Sequence, residues 1–255
     1  MSGAGSNRVA LVTGAGRGIG RSVARRLSME GLRVAVTARS SAQLAASAGE
    51  CPGATLVLPA DITDPVALDQ VCASVEAEWG AIDVVVANAG AASSAPLASV
   101  TDQDWQRMLD LNLTAPFRCL RRTVPGMVAR GYGRVVVIAS VAAKRGEPYL
   151  AAYTASKHGV LGLVRSVAAE VAASGVTVNA VCPGYVDTPM TESSVRTISE
   201  RTGRSIDEAR AVLAAKQPNG RLVTVEEVAD AVWLCVTNAA MNGQGIAVDG
   251  GGVQS

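Results

Sequence analysis

Side chains able to move a proton lie at spacings that favour one site. Tyr153 and Lys157 are four residues apart, which on a helix places a phenol and an ammonium on one face. A neighbouring cation favours the ionised phenol, so the spacing predicts a tyrosine with a pKa below the usual value of about 10, nearer the range of a general acid or base. The segment Asn88-Ala-Gly, Asn112 and Ser140 supply further polar groups to such a site.

A glycine-rich run near the start of the chain supplies a second kind of chemistry. The run extends from Thr13 to Gly20, follows the apolar segment Val9–Val12 and precedes a helical pattern. Glycines there allow a tight turn and let backbone N–H groups approach a pyrophosphate at a helix N-terminus. The context of strand, turn and helix predicts nucleotide binding, with Gly14, Gly16, Gly18 and Gly20 forming the cradle.

The residues after the second apolar run predict which dinucleotide is bound. A protein that binds NAD usually carries Asp or Glu about 20 residues after the glycines, on the adenosine ribose. Residues 34–40 contain no acid, and Arg39 stands at that place. Arg39 can bind a 2′-phosphate through a charge-assisted, bidentate contact, and Arg17 in the glycine turn adds a second charge. NADP(H) is therefore favoured over NAD(H), unless both arginines are ordinary solvated surface residues.

Composition excludes several other classes of protein. The chain has 255 residues, of which 49% are apolar, 18% charged and 3% aromatic, with a net charge of +1. So balanced a charge and so few aromatic residues make a nucleic-acid partner improbable. The five cysteines are scattered and His158 is the single histidine, which predicts no metal site and a reducing compartment. We find no signal-peptide pattern and no apolar run of membrane-spanning length, so a cytoplasmic protein is expected.

Short β-branched runs alternate with longer helical patterns along the chain. We predict strands at Arg8–Thr13, Arg33–Ala38, Thr55–Pro59, Asp83–Ala87, Arg134–Ala139, Thr177–Cys182 and Gly245–Val248. We predict helices at Arg17–Glu30, Ala42–Ala48, Pro65–Trp79, Thr101–Ala129, Tyr149–Ser174 and Val225–Thr237. This alternation predicts an α/β fold with a doubly wound parallel sheet, as a single domain over residues 1–255.

One segment, residues 185–220, departs from the alternation. It has no strand pattern and contains Pro189, many polar residues and one amphipathic helical pattern at Ser205–Lys216. Because it leaves the carboxyl end of a predicted strand, where α/β sheets bind ligands, we interpret it as a helical substrate lid rather than a passive loop.

Taken together, these motifs resemble the short-chain dehydrogenase/reductase family over essentially the whole chain. The glycine signature T-G-x-x-x-G-x-G matches Thr13 to Gly20, and the N-A-G element matches Asn88–Gly90, although Ala87 precedes it where Asn is commoner. The Asp after the third strand matches Asp61. The family's catalytic Asn, Ser, Tyr and Lys match Asn112, Ser140, Tyr153 and Lys157.

The resemblance implies a role for each matching residue. Tyr153 would exchange a proton with the substrate oxygen, Ser140 would donate a hydrogen bond to it, and Lys157 would lower the pKa of Tyr153 and hold the nicotinamide ribose. Asn112 would anchor a water that relays protons to Lys157. Besides the glycines, Arg17, Arg39, Tyr153 and Lys157, the expected cofactor contacts are Ile19, Asp61, Ile62, Asn88, Ala89, Gly90, Pro183, Gly184, Val186 and Thr188. Substrate is expected to contact Ser140, Tyr153 and Tyr185.

Two branches of the family come nearest, the 3-oxoacyl-thioester and polyketide ketoreductases and the 3-hydroxybutyrate dehydrogenases. The second branch holds a carboxylate with Gln, His and Lys, where this chain has Ala92, Ala142 and Leu150. A small free carboxylate would lack partners there, so a 3-oxoacyl thioester or related ketone is favoured. Lys144 and Arg145 either meet an acidic carrier or coenzyme A phosphates, or are ordinary surface charges.

Alternatives remain open from the sequence. One is an NAD-dependent secondary alcohol or 3-hydroxyacyl dehydrogenase, and another is a nucleotide-sensing protein without catalysis. The resemblance also implies a homo-oligomer, a dimer or a homotetramer. In the predicted helix from Tyr153 to Ala173, the apolar residues exceed one core-facing stripe, although one chain could cover them: Val160, Leu161, Leu163, Val164, Val167 and Ala168.

Overall fold

Seven strands form one parallel sheet in the computed structural model, which describes residues 7–254. The strands are β1 (Val9–Thr13), β2 (Arg33–Ala38), β3 (Thr55–Pro59), β4 (Val84–Ala87), β5 (Gly133–Ile138), β6 (Val176–Pro183) and β7 (Gly245–Val248). Their order is β3-β2-β1-β4-β5-β6-β7, and each neighbouring pair is parallel. The predicted doubly wound sheet is confirmed.

Helices cover both faces of the sheet. They are α1 (Gly18–Met29), α2 (Ser41–Gly49), α3 (Pro65–Trp79), α4 (Asp102–Leu109), α5 (Ala115–Arg130), α6 (Ala151–Glu170), α7 (Pro189–Thr202), α8 (Ile206–Ala214) and α9 (Val225–Thr237). Apolar side chains of α3, α5 and α6 form one core with the sheet, and those of α1, α2 and α9 form a second core on the opposite face. Strands buried on both sides explain the continuous Val and Ile runs of the sequence.

The order of the strands fixes where a ligand can enter. The chain moves outward from β1 through β2 to β3, then returns across β1 to β4 and continues to β7. The crossovers therefore diverge between β1 and β4, and their divergence leaves a crevice at the carboxyl ends of those strands. The glycine run follows β1, and the Asn88 segment follows β4.

The long helix predicted at Thr101–Ala129 is wrong in one respect, because it is interrupted. Five residues, Asp110–Thr114, form a π-helical turn between α4 and α5. Pro116 has no N–H with which to close the α-helical hydrogen bond to the carbonyl of Asn112. The side chain of Asn112 also bonds to the backbone of Ala91, which anchors the turn from outside the helix. Such π turns often occur at functional sites.

The segment 185–220 contains two helices rather than the one predicted. Pro189, interpreted as a sign of irregular structure, is the first residue of α7, and the Thr188 side chain caps that helix by accepting from Thr191 N. The predicted Ser205–Lys216 helix is present as α8, with a capping box between Ser205 and Glu208. The two helices share a small apolar core of Val195, Ala209 and Leu213.

Helix α6 begins later than predicted, at Ala151, and Tyr149 lies outside it with a φ of 66°. Most of its apolar stripe is covered within the chain: Val160, Leu161, Val164 and Ala168 are buried, and Leu163 and Val167 are half-buried against the same core. The stripe is therefore no evidence for assembly. Within residues 7–254, we find no helix with the length and apolarity needed to cross a bilayer.

Candidate active site

The glycine turn between β1 and α1 is fixed by backbone contacts. Gly14 and Gly18 have φ values of 64° and 54°, in the left-handed region that favours glycine. A Cβ on Gly20 would overlap the Gly14 carbonyl oxygen and the Asn88 side chain. No side-chain hydrogen bond caps the start of α1 at Arg17. The first backbone N–H groups of the helix therefore have no side-chain acceptor there and can donate to a ligand in the crevice. This geometry suits a bound pyrophosphate.

Asn88 holds the glycine turn from the neighbouring strand. Its Nδ2 donates to the carbonyls of Thr13 at 2.9 Å and Gly14 at 3.1 Å. In return, Thr13 Oγ1 accepts from the backbone N–H groups of Asn88 and Ala89, each at 3.1 Å. The sequence predicted a cofactor contact for Asn88, but its amide is used to position the turn. For Thr13, the sequence predicted only a place at the start of the glycine motif and not these hydrogen bonds.

Two arginines stand at the adenosine end of the crevice. Arg17 and Arg39 are exposed and line the same cleft. Neither side chain takes part in the ion pairs of residues 7–254. Both guanidinium groups thus remain available to an anionic ligand.

Asp61 also faces this end of the cleft, at the exit of β3. Its Oδ1 accepts from Thr63 N at 3.0 Å and from Thr63 Oγ1 at 2.7 Å. These bonds hold the pKa of Asp61 below its usual value, with a smaller contribution from the charge of Arg39. The carboxylate is therefore kept ionised and oriented by its own loop.

Ser140 and Tyr153 meet at the carboxyl end of β5. Ser140 caps a short 3₁₀ turn, Val141–Ala143, by accepting from Ala142 N at 3.1 Å. Tyr153 projects from the first turn of α6, which packs against β6. Burial raises the pKa of Tyr153, and hydrogen bonding with the Ser140 side chain opposes that rise. The two hydroxyls form the polar centre of the cleft.

The prediction that the pKa of Tyr153 lies below its usual value is wrong for this structure, because burial raises that pKa. Lys157 is buried, with 5% of its surface exposed, and its Nζ donates to the Ile138 carbonyl at 2.9 Å. Nζ lies 5.7 Å from the Tyr153 ring centroid. Burial lowers the pKa of Lys157 to about 8. Desolvation is the largest cause of both pKa shifts, and the four-residue spacing could not reveal it.

Asn112 is the one predicted site residue that does not line the cleft. It is buried, with 1% of its surface exposed. Its side chain donates to Ala91 O at 3.0 Å and accepts from Ala91 N at 3.1 Å. Asn112 therefore fixes the loop after Asn88-Ala-Gly, and Pro116 leaves the backbone carbonyl of Asn112 without an α-helical partner.

The turn after β6 closes the far wall. A Cβ on Gly184 would overlap the side-chain oxygen of Gln217, so a larger residue there would force the Gln217 side chain to move. Gln217 Nε2 donates to the Tyr185 carbonyl at 3.2 Å, and Lys216 Nζ donates to the Tyr185 hydroxyl at 3.2 Å. Gln217 and Lys216 were not predicted, because their contact with Tyr185 spans more than thirty residues of chain.

One cleft of about 1450 Å³ brings the predicted residues together. All of the predicted glycine-turn, adenosine, nicotinamide and substrate residues line it, as do Ala92, Ala142 and Leu150. Lining residues that the sequence did not predict include Gln103, Arg107, Tyr149, Met190, Arg201 and Lys216. Most of these lie on α4 or α7, where no sequence motif predicted a ligand contact. The residues present fit a nicotinamide dinucleotide: a phosphate cradle, cations at the adenosine end, and a phenol with a hydroxyl at the other.

Arg145 has structural partners of its own. Its Nε pairs with Glu147 at 2.8 Å, and its Nη1 donates to the Gly252 carbonyl at 2.9 Å. Neither Arg145 nor Lys144 lines the cleft. Within residues 7–254, no group of three His, Cys, Asp or Glu side chains is arranged to hold a metal ion.

Known proteins are similar to this chain in sequence and structure over nearly all of its length. A protein of Streptomyces coelicolor named as a ketoacyl reductase is 39% identical over 96% of this chain and 97% of its own length. The D-beta-hydroxybutyrate dehydrogenase of Rhizobium meliloti is 34% identical over 96% of this chain and 98% of its own length. A crystal structure of a variant actinorhodin polyketide ketoreductase with NADPH superposes with a TM-score of 0.93, covers 99% of both chains and is 39% identical.

The family model described as short chain dehydrogenase matches residues 8–199. That match contains the glycine turn, the Asn88 segment and all four of Asn112, Ser140, Tyr153 and Lys157. The residues after 199 contain α8, α9 and β7, and the alignment with the Streptomyces coelicolor relative extends over this part as well. This chain belongs to the short-chain dehydrogenase family and is an oxidoreductase that uses a nicotinamide cofactor.

Proposed function

We propose that the protein is an NADP(H)-dependent reductase of 3-oxoacyl thioesters or closely related ketones. The observation that carries the proposal is the adenosine end of the cleft, where Arg17 and Arg39 are exposed and residues 34–40 contain no carboxylate. The carboxylate at this end, Asp61, is bonded to its own loop through Thr63, so the two cations favour a 2′-phosphate over a free ribose hydroxyl. NADPH in the related ketoreductase structure supports the same preference.

The catalytic groups are assigned by their positions in the cleft. The nicotinamide supplies or accepts the hydride when it is bound. Burial keeps the Tyr153 phenol protonated at neutral pH, so this side chain is suited to give a proton to a carbonyl oxygen. Ser140 donates to the same oxygen and stabilises the charge that develops there. Lys157, with a pKa of about 8, is suited to return a proton from the interior after each turnover.

The walls near Tyr153 favour a substrate without a free carboxylate. Ala92, Ala142 and Leu150 line the cleft and offer no charge to an anionic substrate. A small carboxylate desolvated among them would lose its hydration without gaining a partner. An acyl group with an apolar chain fits these walls better, which favours the ketoacyl reductase branch over the hydroxybutyrate branch of the relatives.

The first experiment is a comparison of initial rates. Purified protein is given NADPH or NADH with acetoacetyl-CoA, and Tyr153→Phe serves as the blank. We expect turnover that strongly favours NADPH. Oxidation of free 3-hydroxybutyrate with NAD, together with no reduction of the thioester, would reject the proposal and favour the NAD-dependent dehydrogenase as the alternative.

We also propose that the protein acts in the cytoplasm as a dimer or tetramer. All five cysteines are free, and four of them are buried, which suits a reducing compartment. The apolar side chains of Phe117 and Val128 on α5 are each 40% exposed, which offers a surface for a second copy. Light scattering coupled to size-exclusion chromatography tests this assembly, and a mass of one chain, 25.9 kDa, would contradict it.

A further inference from the structure

Tyr149 has an unusual backbone conformation beside the catalytic helix. Its φ of 66° makes it the one non-glycine residue with a positive φ within residues 7–254. An aromatic side chain rarely adopts this conformation, and such outliers concentrate at functional sites. The side chain is nonetheless 67% exposed, so burial of the ring does not stabilise it. Its conformation therefore needs another explanation.

Hydrogen bonds on both sides hold Tyr149 in place. Ala95 N donates to the Tyr149 carbonyl at 2.9 Å, and Leu150 N donates to the Glu147 carbonyl at 3.3 Å. Glu147 is in turn paired with Arg145. The first bond ties the start of α6 to the loop after β4, which are the two segments that flank the carbonyl end of the cleft. The backbone conformation at Tyr149 is thus held by contacts between distant parts of the chain.

Tyr149 lies beside two neighbouring spaces. It lines the main cleft and also a side pocket of about 100 Å³. Ser94 is the other residue shared by the two spaces. The rest of the side pocket is lined by Ser93, Ala95, Val100, Asp104, Ala151 and Ala152. The Asp104 carboxylate already accepts from Thr101 Oγ1 at 2.9 Å and from Arg107 at 3.2 Å. The pocket is therefore a recess beside the cleft, and Tyr149 and Ser94 lie where the two spaces adjoin.

We propose that Tyr149 is a specificity-determining residue that limits the size of the group on the reacting carbonyl, and that the recess behind it is a latent subsite for a bulky apolar substituent such as a phenyl ring. The inference rests on the proposed carbonyl reductase function. With Tyr149 present, ketones carrying a methyl or short alkyl group are preferred. A cavity of about 150 Å³ holds one benzene molecule, so the recess joined to the volume of the tyrosine ring has room for a phenyl group.

Four variants test this role. Tyr149→Gly removes the ring and suits the positive φ, whereas Tyr149→Ala removes the ring and keeps the backbone strain. Tyr149→Phe retains the ring without its hydroxyl. Leu97→Ala is the matched control, because Leu97 is 77% exposed and lines neither space. Each protein is assayed for NADPH oxidation with ethyl acetoacetate and ethyl benzoylacetate, which differ in a methyl or a phenyl group on the ketone.

We expect the ratio of kcat/KM for the phenyl ketone to that for the methyl ketone to rise by about tenfold or more in Tyr149→Gly and Tyr149→Ala. The ratio stays at the wild-type value in Tyr149→Phe and Leu97→Ala. An unchanged ratio in both ring-deleted variants, with the methyl ketone still reduced, would overturn the inference. A rise of this ratio in Tyr149→Gly but not in Tyr149→Ala would also overturn the inference. Relief of the backbone strain, rather than removal of the ring, would then be the cause.

Failure of the proposed function gives a different result. In that case the wild-type protein reduces neither acetoacetyl-CoA nor the two esters, and binding of ethyl benzoylacetate is measured by titration calorimetry with NADP present. Tighter binding by about tenfold in both ring-deleted variants than in wild type and Leu97→Ala would support the subsite without the reaction. Equal binding by all of the proteins would reject it.

Discussion

The two ends of the cleft are constructed by different means. The nucleotide end, formed after β1 to β4, consists of backbone N–H groups, glycines and exposed arginines. The carbonyl end, formed after β5 and β6, consists of ionisable side chains that burial has shifted from their usual pKa values. At the nucleotide end, cofactor binding depends on the local backbone conformation of the glycine turn. At the carbonyl end, function depends on desolvation, which packing from several elements produces.

The largest effect is expected at the carbonyl end, where Tyr153→Phe removes the proton donor. We expect kcat to fall by about 10²–10⁴-fold, because a positioned acid contributes that much to proton transfer. Cofactor affinity and the free energy of unfolding should change little. Steady-state rates, cofactor fluorescence titration and urea unfolding measure the three quantities. Retention of more than a third of the wild-type kcat would remove Tyr153 from the catalytic role.

Gly20→Ala should break the nucleotide end by sterics alone. Its Cβ would overlap the Gly14 carbonyl oxygen and the Asn88 amide, so the turn must shift. We expect a loss of about 3 kcal/mol in the free energy of unfolding, with weakened cofactor binding. Gly162→Ala in α6 is the control, since a Cβ there meets no atom within 4 Å. Equal stability of the two variants in urea unfolding would contradict the assigned role of the turn.

Arg39→Ala should change cofactor choice without affecting the carbonyl end. Loss of a charge-assisted hydrogen bond costs about 1.5–3 kcal/mol, so KM for NADPH should rise by about 10–100-fold while KM for NADH stays the same. Arg25→Ala is the control, because Arg25 is also exposed but lies outside the cleft. If the KM values for NADPH and NADH change equally, or if neither changes, Arg39 is not the source of the cofactor preference. The NAD-dependent alternative is then favoured.

The smallest expected effect is the change of the unfolding free energy with pH that is caused by Lys157. Its pKa of about 8 in the folded protein lies below its ordinary value of 10.5, so the unfolded chain binds more protons between these values. Stability from this group therefore rises with pH, by at most about 1.4 kcal/mol per pH unit. We expect the difference in unfolding free energy between wild type and Lys157→Met to grow in favour of wild type from about pH 8 to 10.

Lys144→Met provides the reference for that measurement, since Lys144 lies outside the cleft. The difference between wild type and Lys144→Met should stay constant over the same pH range. Parallel stability curves for wild type and Lys157→Met would show that Lys157 keeps its ordinary pKa. The carbonyl end would then resemble the nucleotide end in depending on geometry rather than on desolvation.

Much of the fold could be predicted because its signals are local. The continuous Val runs of β1, β4 and β5 are typical of strands buried on both faces, and their alternation with helices predicts a parallel sheet. The π turn at Asp110–Thr114 could not be predicted in this way. It depends on hydrogen bonds from Asn112 to Ala91, 21 residues earlier in the chain. Helix α7 was not predicted, although Thr188 followed by Pro189 is a typical helix start, with an N-cap residue and then proline at the first helical position.

By itself the sequence determined the identity of the chemical groups and the order in which the sheet presents them. Glycines, a tyrosine, a serine and arginines at these spacings predict a nicotinamide-dependent oxidoreductase, and the family match agrees. Only the tertiary structure decided the protonation of those groups and the partition of the cleft. The pKa values of Tyr153 and Lys157 follow from burial by distant elements, and the conformation of Tyr149 from a bond to Ala95. Such effects arise from contacts that no local pattern contains, because desolvation and packing depend on the whole fold.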